Sequence, residues 1–305
     1  VERRKGRVRH QGRERVTRPP SHDTPTMISR TLLLAATVAV IFAVDSPYPT
    51  TCESPRLNKC IADVFGDGQY GLNISPDPTV LQRVLKDYTI LNNWFLSQWG
   101  RDDGIDTIVK NCNALTNFYH CLGGPACFGM QSLLLDGTMK KEDAYAVRGV
   151  LDEYNFNCGT GLGTMLSGNI KCIQKAIASS QEYLKGCTST YLNNVMHDEP
   201  KACNYATQLS QCYMVPFNLA ECRSEKDTDT WWACNSQREF VVNQFGYCYN
   251  EVNCDALTTS NAAHLAAHHT QNADGSHTIR LPDLVQKTEK DGFKTVKGRE
   301  FTIRI

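Results

Sequence analysis

The fold of this chain is decided by one stretch, IDTIVKNCNALTNFYHCL, at residues 105–122. Its apolar residues recur every three or four positions, which places them on one face of an α-helix. They are Ile105, Ile108, Val109, Cys112, Leu115, Tyr119 and Leu122. Because Cys112 lies on this apolar face, the pattern predicts a helix that a disulfide joins to a neighbouring helix.

Cysteines are numerous and spread along the middle of the chain. The fourteen are Cys52, Cys60, Cys112, Cys121, Cys127, Cys158, Cys172, Cys187, Cys203, Cys212, Cys222, Cys234, Cys248 and Cys254. The closest pairs have five intervening residues, so the C-x-x-C redox pair and the paired knuckles of zinc sites are absent. An even number behind an export signal predicts disulfides, with the pairing left open and no metal or other cofactor expected.

Two cysteine spacings occur twice. Eight residues separate Cys112 from Cys121 and Cys203 from Cys212, and thirteen separate Cys158 from Cys172 and Cys234 from Cys248. This recurrence would fit a diverged duplication of a helical hairpin.

Residues 1–26 are strongly basic and contain no methionine. Eight Lys or Arg residues stand there against three acidic residues. Such an arm could bind nucleic acid or anionic lipid. Since Met27 begins an export segment, we interpret residues 1–26 as disordered upstream sequence translated by read-through.

A signal peptide is predicted over residues 27–43. After Met27 and the single basic residue Arg30, residues 32–44 are apolar except for Thr37. Thirteen helical residues span about 20 Å, less than the roughly 30 Å hydrocarbon core, which favours cleavage after Ala43 over a stable membrane anchor. The protein is therefore expected to be secreted and extracellular.

Removal of residues 1–43 changes the net charge. The whole chain has 32 basic and 32 acidic residues; without nine basic and three acidic residues the remainder has a formal charge of −6. A mildly acidic secreted protein is not expected to bind nucleic acid or another polyanion.

Helical patterns fill the predicted cysteine-rich domain, residues 44–254. Six helices are expected, at residues 77–100, 105–122, 139–154, 164–192, 203–216 and 231–248. Asp77 and Pro78 would begin the first helix, and Pro216 would end the fifth. No long stretch before residue 255 alternates polar and apolar residues. We therefore predict an all-α fold, a disulfide-stapled bundle of about six helices.

The cysteine-free tail, residues 255–305, differs from the rest. Strand-like pieces at residues 278–281 and 301–305 flank a turn signal, Lys290-Asp291-Gly292. The tail is a small hairpin, a flexible extension or another read-through product, and we expect it to be poorly ordered.

One N-glycosylation sequon is present, Asn73-Ile74-Ser75. It lies in a segment rich in Gly, Asp and Pro, and this predicts an exposed loop. Behind a signal peptide, the sequon predicts a glycan on Asn73.

Candidate metal and phosphate sites are weak. His264 and His268 could ligate a metal from one helix face, with His269 beside them, but no third ligand is evident. Residues 159–163, GTGLG, resemble a phosphate loop without the required strand or lysine. We interpret the histidines as surface residues and the glycines as a flexible entry into the fourth helix.

Hydrolase motifs are missing from the chain. It has no G-x-S-x-G elbow and no H-E-x-x-H helix. His120 is expected at a helix C-terminus and His197 in a loop, and exported cysteines should be oxidised rather than nucleophilic. No catalytic residue is assigned.

Five aromatic residues could line a lipid pocket between helices. They are Trp94, Phe95, Trp99, Trp231 and Trp232. Aromatic stripes at helical spacing are more often core, because these side chains bury the most area. Trp231 and Trp232 point about 100° apart on a helix, so one of them is expected to be exposed.

The segment CNALTNFYHCL at residues 112–122, followed by Cys127, resembles the nematode secreted cysteine-rich domains. Residues 154–158, YNFNC, with Cys172-Ile173 add to the likeness. One such group has no known function, and a relative is the chondroitin-proteoglycan-4-type domain. The resemblance implies a secreted, helical, disulfide-bonded domain without catalytic residues. Ser167-Gly168 lacks the acidic neighbours of a chondroitin site, so the first group is the better match.

Three functions remain open at this point. The first is a secreted non-enzymatic protein, structural or binding an unknown extracellular protein or matrix partner. The second is a carrier of a small apolar ligand such as a lipid, near Trp94, Trp99 and the fourth helix. The third is an exported hydrolase. An internal apolar cavity would favour the carrier, an exposed apolar patch would favour partner binding, and a polar cleft with a His beside a carboxylate would favour the hydrolase.

Overall fold

The computed structural model describes residues 54–67, 71–123, 129, 133–134, 139–167, 170–220, 222, 227–288 and 292–305. The predictions on residues 1–26, on the signal peptide, and on Cys52 and Cys127 lie outside this part of the chain. The described residues are mostly helical, with short antiparallel strands near the C-terminus. This confirms the all-α bundle.

The helices and strands are numbered here in chain order. In the described part, the α-helices are α1 (Ser54–Phe65), α2 (Pro78–Arg83), α3 (Tyr88–Trp99), α4 (Asp106–Leu122), α5 (Lys141–Cys158), α6 (Thr160–Ser167), α7 (Ile170–His197), α8 (Ala202–Ala220), α9 (Thr228–Val242) and α10 (Cys254–His268). Two 3-10 helices lie at Glu199–Lys201 and Gly246–Asn250. The strands are β1 (His269–Gln271), β2 (His277–Arg280), β3 (Leu284–Thr288), β4 (Gly292–Val296) and β5 (Glu300–Ile303).

Helix α7, 28 residues long, is the centre of the bundle. One row of its buried side chains alternates steps of four and three, the spacing that keeps a seam against partner helices. The row is Ile173, Ile177, Ser180, Leu184, Cys187, Tyr191 and Asn194. Helices α3, α5, α6 and α8 pack on α7, and so do strands β3 and β5. Because these elements surround α7, the helix is buried on several sides.

Six disulfides are described, and they staple the helices to one another or to adjoining segments. They join Cys60 to Cys121, Cys112 to Cys158, Cys172 to Cys222, Cys187 to Cys212, Cys203 to Cys248 and Cys234 to Cys254. The linked pairs include α1–α4, α4–α5, α7–α8 and α9–α10. No described cysteine is free. The prediction of a disulfide-stapled bundle is confirmed for the described cysteines.

The repeated cysteine spacing has a partial structural counterpart in α4 and α8. Each helix carries two cysteines with eight residues between them, and in each the later one bonds back to an earlier helix. The earlier one bonds forward over 46 residues in α4 and 45 in α8. The second spacing does not correspond, since Cys158 bonds back to Cys112 whereas Cys234 bonds forward to Cys254.

Several helix boundaries differ from the predicted ones. The stripe predicted over residues 77–100 is divided into α2 and α3, because Asp87 has extended backbone and its Oδ1 accepts the Thr89 amide at 3.1 Å, a new N-cap. The helix predicted over residues 164–192 is divided into α6 and α7. The glycine-rich stretch at residues 159–163 therefore lies mostly within α6, a separate helix. The sixth pattern ends as an α-helix at Val242, and Cys248 lies in a 3-10 helix. Helix α1 has no counterpart among the predicted helices.

The sequence predicted that Pro216 would end α8, but the helix does not end there. The helix continues to Ala220. Proline removes one backbone donor, which usually costs about 3 kcal/mol in a helix interior. Val215 and Phe217 on either side are fully buried, and their burial supports the last turn.

Residues 255–268 of the predicted tail form most of α10, and the described residues from His269 onward, called the tail below, take the hairpin alternative. The expectation of poor order is wrong. Strands β1, β2 and β5 form one antiparallel sheet, and β3 pairs with β4 in a second. Ile279, Leu281 and Ile303 are buried, and Phe301 packs edge-on against Tyr183 of α7 at 5.7 Å. These apolar side chains dock the tail on the bundle.

Two features of α7 position the tail. The Asn194 side chain donates to the Asp283 carbonyl and accepts from the Val285 amide, each at 2.8 Å. About two turns earlier, Gly186 lets Leu281 approach closely, because an added Cβ would lie 2.8 Å from Leu281 Cδ1.

None of the described helices combines the length and apolar character needed to cross a bilayer.

Candidate functional site

The interior beside Trp99 is filled by other side chains. Phe95 stacks on Tyr154 at 3.8 Å between ring centroids, and Trp99 stacks on Trp232 at 6.1 Å. The space left among these rings is about 10 Å³, which is the size of one water molecule. Phe95, Trp99 and Trp232 are therefore core, and the space beside Trp99 has no room for a lipid.

Trp231 is the less buried member of its pair, but neither tryptophan is exposed, although the helical geometry predicted that one would be. Trp232 is buried, whereas Trp231 is half-buried and its Nε1 donates to Asp255 Oδ1 at 2.9 Å. This hydrogen bond ties α9 to α10.

An open cleft of about 450 Å³ lies where α3, α5, α7 and the second 3-10 helix meet. We call it the tyrosine cleft, after Tyr88, Tyr145 and Tyr247, which lie on its walls. Leu192 and Phe245 add apolar surface. Open clefts of this volume with aromatic lining are typical small-molecule sites.

Two apolar side chains of this cleft are unusually exposed. Tyr247 is 66% and Met196 is 62% exposed, the two highest values among the large hydrophobic residues described. Tyrosine and methionine are enriched where proteins bind partners, because they offer large contact area. Their exposure leaves a large apolar surface open to solvent at one cleft.

The rim of the tyrosine cleft is acidic. Among its described residues, Glu142, Asp143 and Glu199 are acidic and Lys141 carries the one ammonium group. Glu142 and Asp143 also belong to the first turn of α5, where acidic residues stabilise the helix dipole. Burial, and then the carboxylates of Asp87 and Asp143, raises the pKa of Tyr88. The negative field of these carboxylates therefore reaches the tyrosine wall.

Lys141 is held over one of the aromatic rings. Its Nζ lies 5.9 Å from the centroid of the Tyr145 ring, within cation–π range. The phenol ring of Tyr145 thus already faces a cation at the rim.

A second, more polar cleft of about 470 Å³ lies between α8, α10 and the tail. We call it the histidine cleft, after His264 and His268; Asp198, Tyr205 and Asp283 also line it. The two imidazole rings stack at 4.2 Å. Burial, and then His268 and Arg280, lowers the pKa of His264 to about 4, so that this ring is neutral at pH 7.

The histidine cleft contains the residue types that would favour a hydrolase, but not the arrangement. Asp198 accepts hydrogen bonds from Lys201 and Tyr205, not from a histidine. His268 Nδ1 contacts the His264 carbonyl oxygen at 3.0 Å. Among the residues that the structure describes, no serine or cysteine lines this cleft. Within the described ranges, no group of three or more His, Cys, Asp or Glu residues could hold a metal ion. The geometry offers a polar surface without an assembled nucleophile and base.

Asn73 lies on a loop that is pinned to the end of α1. Its backbone amide donates to the Gly66 carbonyl at 3.0 Å, and the neighbouring Ile74 amide donates to Phe65 at 2.9 Å. The Asn73 residue is exposed, with φ of 49°. A left-handed φ is one that asparagine adopts more readily than most residues. The loop therefore presents the predicted glycan acceptor to solvent.

The remaining sequence candidates lie apart from both clefts or have local partners. His120 is exposed in the last turn of α4. His197 ends α7 rather than lying in a loop, and its Nδ1 contacts the Asn193 carbonyl at 2.8 Å. His269 pairs with His277 across the β1–β2 hairpin at 2.9 Å. The structure brings none of these histidines together with a nucleophile.

Sequence reasoning missed the tyrosine cleft. Tyr88, Tyr145 and Tyr247 are separated by more than fifty residues from one another, and each lies near the end of a different helix. A hydrophobic pattern identifies residues that face a core, not residues that three helix ends bring to one opening.

The comparisons with known proteins give no relative. No family model, no curated protein and no solved structure matches this chain.

Proposed function

We propose that this chain is a secreted, non-enzymatic binding protein that holds its ligand or partner in the tyrosine cleft. The observation that carries the proposal is the exposure of Tyr247 and Met196 at the mouth of that cleft. Large apolar side chains in water lose the free energy that burial would give, so their clustering favours a site for a partner.

The disulfides support secretion. Bonds of this number persist in oxidising compartments and are rare in the cytosol. N-terminal sequencing of the protein secreted by cells tests the signal peptide, with a mature chain beginning near Val44 as the expected result. Mass spectrometry of the same sample tests the glycan, which replacement of Asn73 by Gln should abolish.

The binding function is tested on protein secreted by cells and purified without reductant. Native mass spectrometry detects a co-purifying ligand, and cross-linking in the conditioned medium detects a protein partner. The double substitution Tyr247→Ala and Met196→Ala should lose the bound species. Tyr249→Ala is the matched control, because Tyr249 is 38% exposed on the same 3-10 helix but does not line the cleft. Equal recovery with all variants would contradict the proposal.

Membership of the nematode secreted cysteine-rich domains is also a proposal. It rests on the motif at residues 112–122 and on the cysteine rhythm. A member whose equivalent cysteines pair as Cys60–Cys121 and Cys112–Cys158 do here would support it. A different pairing would contradict it.

A further inference from the structure

We infer that the tyrosine cleft binds a small organic cation, a quaternary or protonated amine that carries an apolar group. This inference rests on the proposed function and names the chemistry of its ligand.

The size of the cleft favours a small molecule. Its volume of about 450 Å³ lies in the range of pockets that hold small ligands. Tyr88, Tyr145 and Tyr247 make no ring contact with one another, and Tyr247 instead meets Phe245 at 6.0 Å. The ligand space therefore lies between separated aromatic walls, an arrangement that suits a rounded cationic group.

Charge selects a cation over a neutral ligand. Of the described residues that line the cleft, three carry a carboxylate and one an ammonium group, which gives a formal charge of −2. None of Glu142, Asp143 and Glu199 forms an ion pair in the described part of the chain. A cationic ligand would meet carboxylates that are free to pair, whereas an anion would be repelled.

Lys141 already places a cation in this cleft, as the inferred ligand would. Its ammonium group faces the Tyr145 ring, and the carboxylates of Glu142, Asp143 and Glu199 line the same cleft. A bound amine would compete with Lys141 for the same ring and the same field. Removal of the lysine charge should therefore strengthen cation binding, a result that a purely apolar pocket would not give.

The decisive experiment compares two probes of the same shape. Choline and its uncharged carbon isostere, dimethylbutanol, are titrated into the full secreted chain by calorimetry and by NMR. Benzyltrimethylammonium serves as a cation with a larger apolar body. We expect both cations to bind at least about tenfold more tightly than dimethylbutanol, and their affinity to fall as salt is added.

Four variants locate the binding. Tyr247→Leu should weaken both cations about threefold to thirtyfold, the range of a cation–π contact. Asp143→Asn should weaken them by removing a carboxylate, and Lys141→Gln should tighten them. Glu251→Gln, an exposed acid outside the cleft, should leave the affinity unchanged. Thermal unfolding of each variant shows that a loss of binding is not a loss of fold.

The outcomes separate this inference from the function on which it rests. Equal binding of choline and dimethylbutanol, or an unchanged affinity in Lys141→Gln and Asp143→Asn, would overturn the cation inference. If an apolar molecule or a protein binds and Tyr247→Leu abolishes it, the binding function stands and the cation inference fails. If Tyr247→Leu leaves the binding of every tested molecule unchanged, both the binding function and the cation inference fail.

Discussion

Ser236 Oγ lies 2.9 Å from Glu153 Oε1 in the core, where α9 crosses α5. Gln237 Nε2 donates to the same oxygen at 2.8 Å. Glu153 is 3% exposed, and no cation pairs with it in the described residues. Burial raises the pKa of Glu153 to about 8 despite these two hydrogen bonds, so the carboxyl is protonated at neutral pH.

Glu153 should make the protein less stable as the pH rises. The unfolded chain releases this proton near pH 4.5 and the folded chain near pH 8. Between these values the folded state binds more protons, and the free energy of unfolding falls by up to roughly 1.4 kcal/mol per pH unit. Glu153→Gln should remove this slope while keeping an acceptor for Ser236. Urea unfolding from pH 5 to pH 8 checks it, and parallel slopes for the two proteins would contradict the pKa assignment.

His264 should have the opposite effect. Its pKa is about 4 in the folded protein and 6.5 without the fold. The unfolded chain therefore binds more protons between these values, and the stability that His264 contributes is lost as the pH falls from about 6.5 to 4. His264→Phe should flatten this dependence. Hydrogen exchange of α10 amides at pH 7 and pH 5 tests the prediction, with His120→Phe, at an exposed position, as the control.

Gly149 should not tolerate a methyl group. An added Cβ would lie 2.6 Å from the Phe240 carbonyl oxygen, at the crossing of α5 and α9. Gly149→Ala should therefore lower the free energy of unfolding by about 1–3 kcal/mol, the usual cost of overpacking. Gly163→Ala is the matched control in α6, where nothing lies within 4 Å of the added Cβ. It should raise stability by about 0.5–1 kcal/mol, since alanine favours a helix. Chemical denaturation measures both, and equal effects would contradict the predicted contact.

Asn194 should hold the tail on the bundle. Asn194→Ala removes a donor to Asp283 and an acceptor for Val285, and leaves a buried backbone amide without its partner. A loss of about 1–3 kcal/mol is expected. Limited proteolysis should then cut residues 269–305 faster, whereas Asn250→Ala, at an exposed position, should not change the rate. An unchanged pattern in Asn194→Ala would show that apolar packing alone docks the tail.

The sequence predicted features that depend on local periodicity. The helix at residues 105–122 and the position of Cys112 on its buried face follow from the spacing of apolar residues, and the structure has both. The sequence did not predict the break between α2 and α3 at Asp87. The apolar stripe continues across this break, because the N-cap needs only the Asp87 side chain and two residues of backbone. Pro216 failed as a stop signal because burial of its neighbours is a tertiary effect.

The site was beyond local patterns for a related reason. Asp143 and Tyr88 interact electrostatically only because α3 and α5 begin at the same opening. The tail illustrates the same point, since Asn194 finds its partners about ninety residues further along the chain. Neither relationship has a signature in the residues next to it.

The covalent cross-links stop at Cys254, and the residues from His269 onward adhere by hydrogen bonds and packing alone. Under mechanical tension or attack by a protease, the segment from His269 onward would detach from the bundle first. The cross-linked helices would stay closed around α7, and the tyrosine cleft with them. A trimmed molecule that has shed its last strands should therefore still carry its binding surface intact.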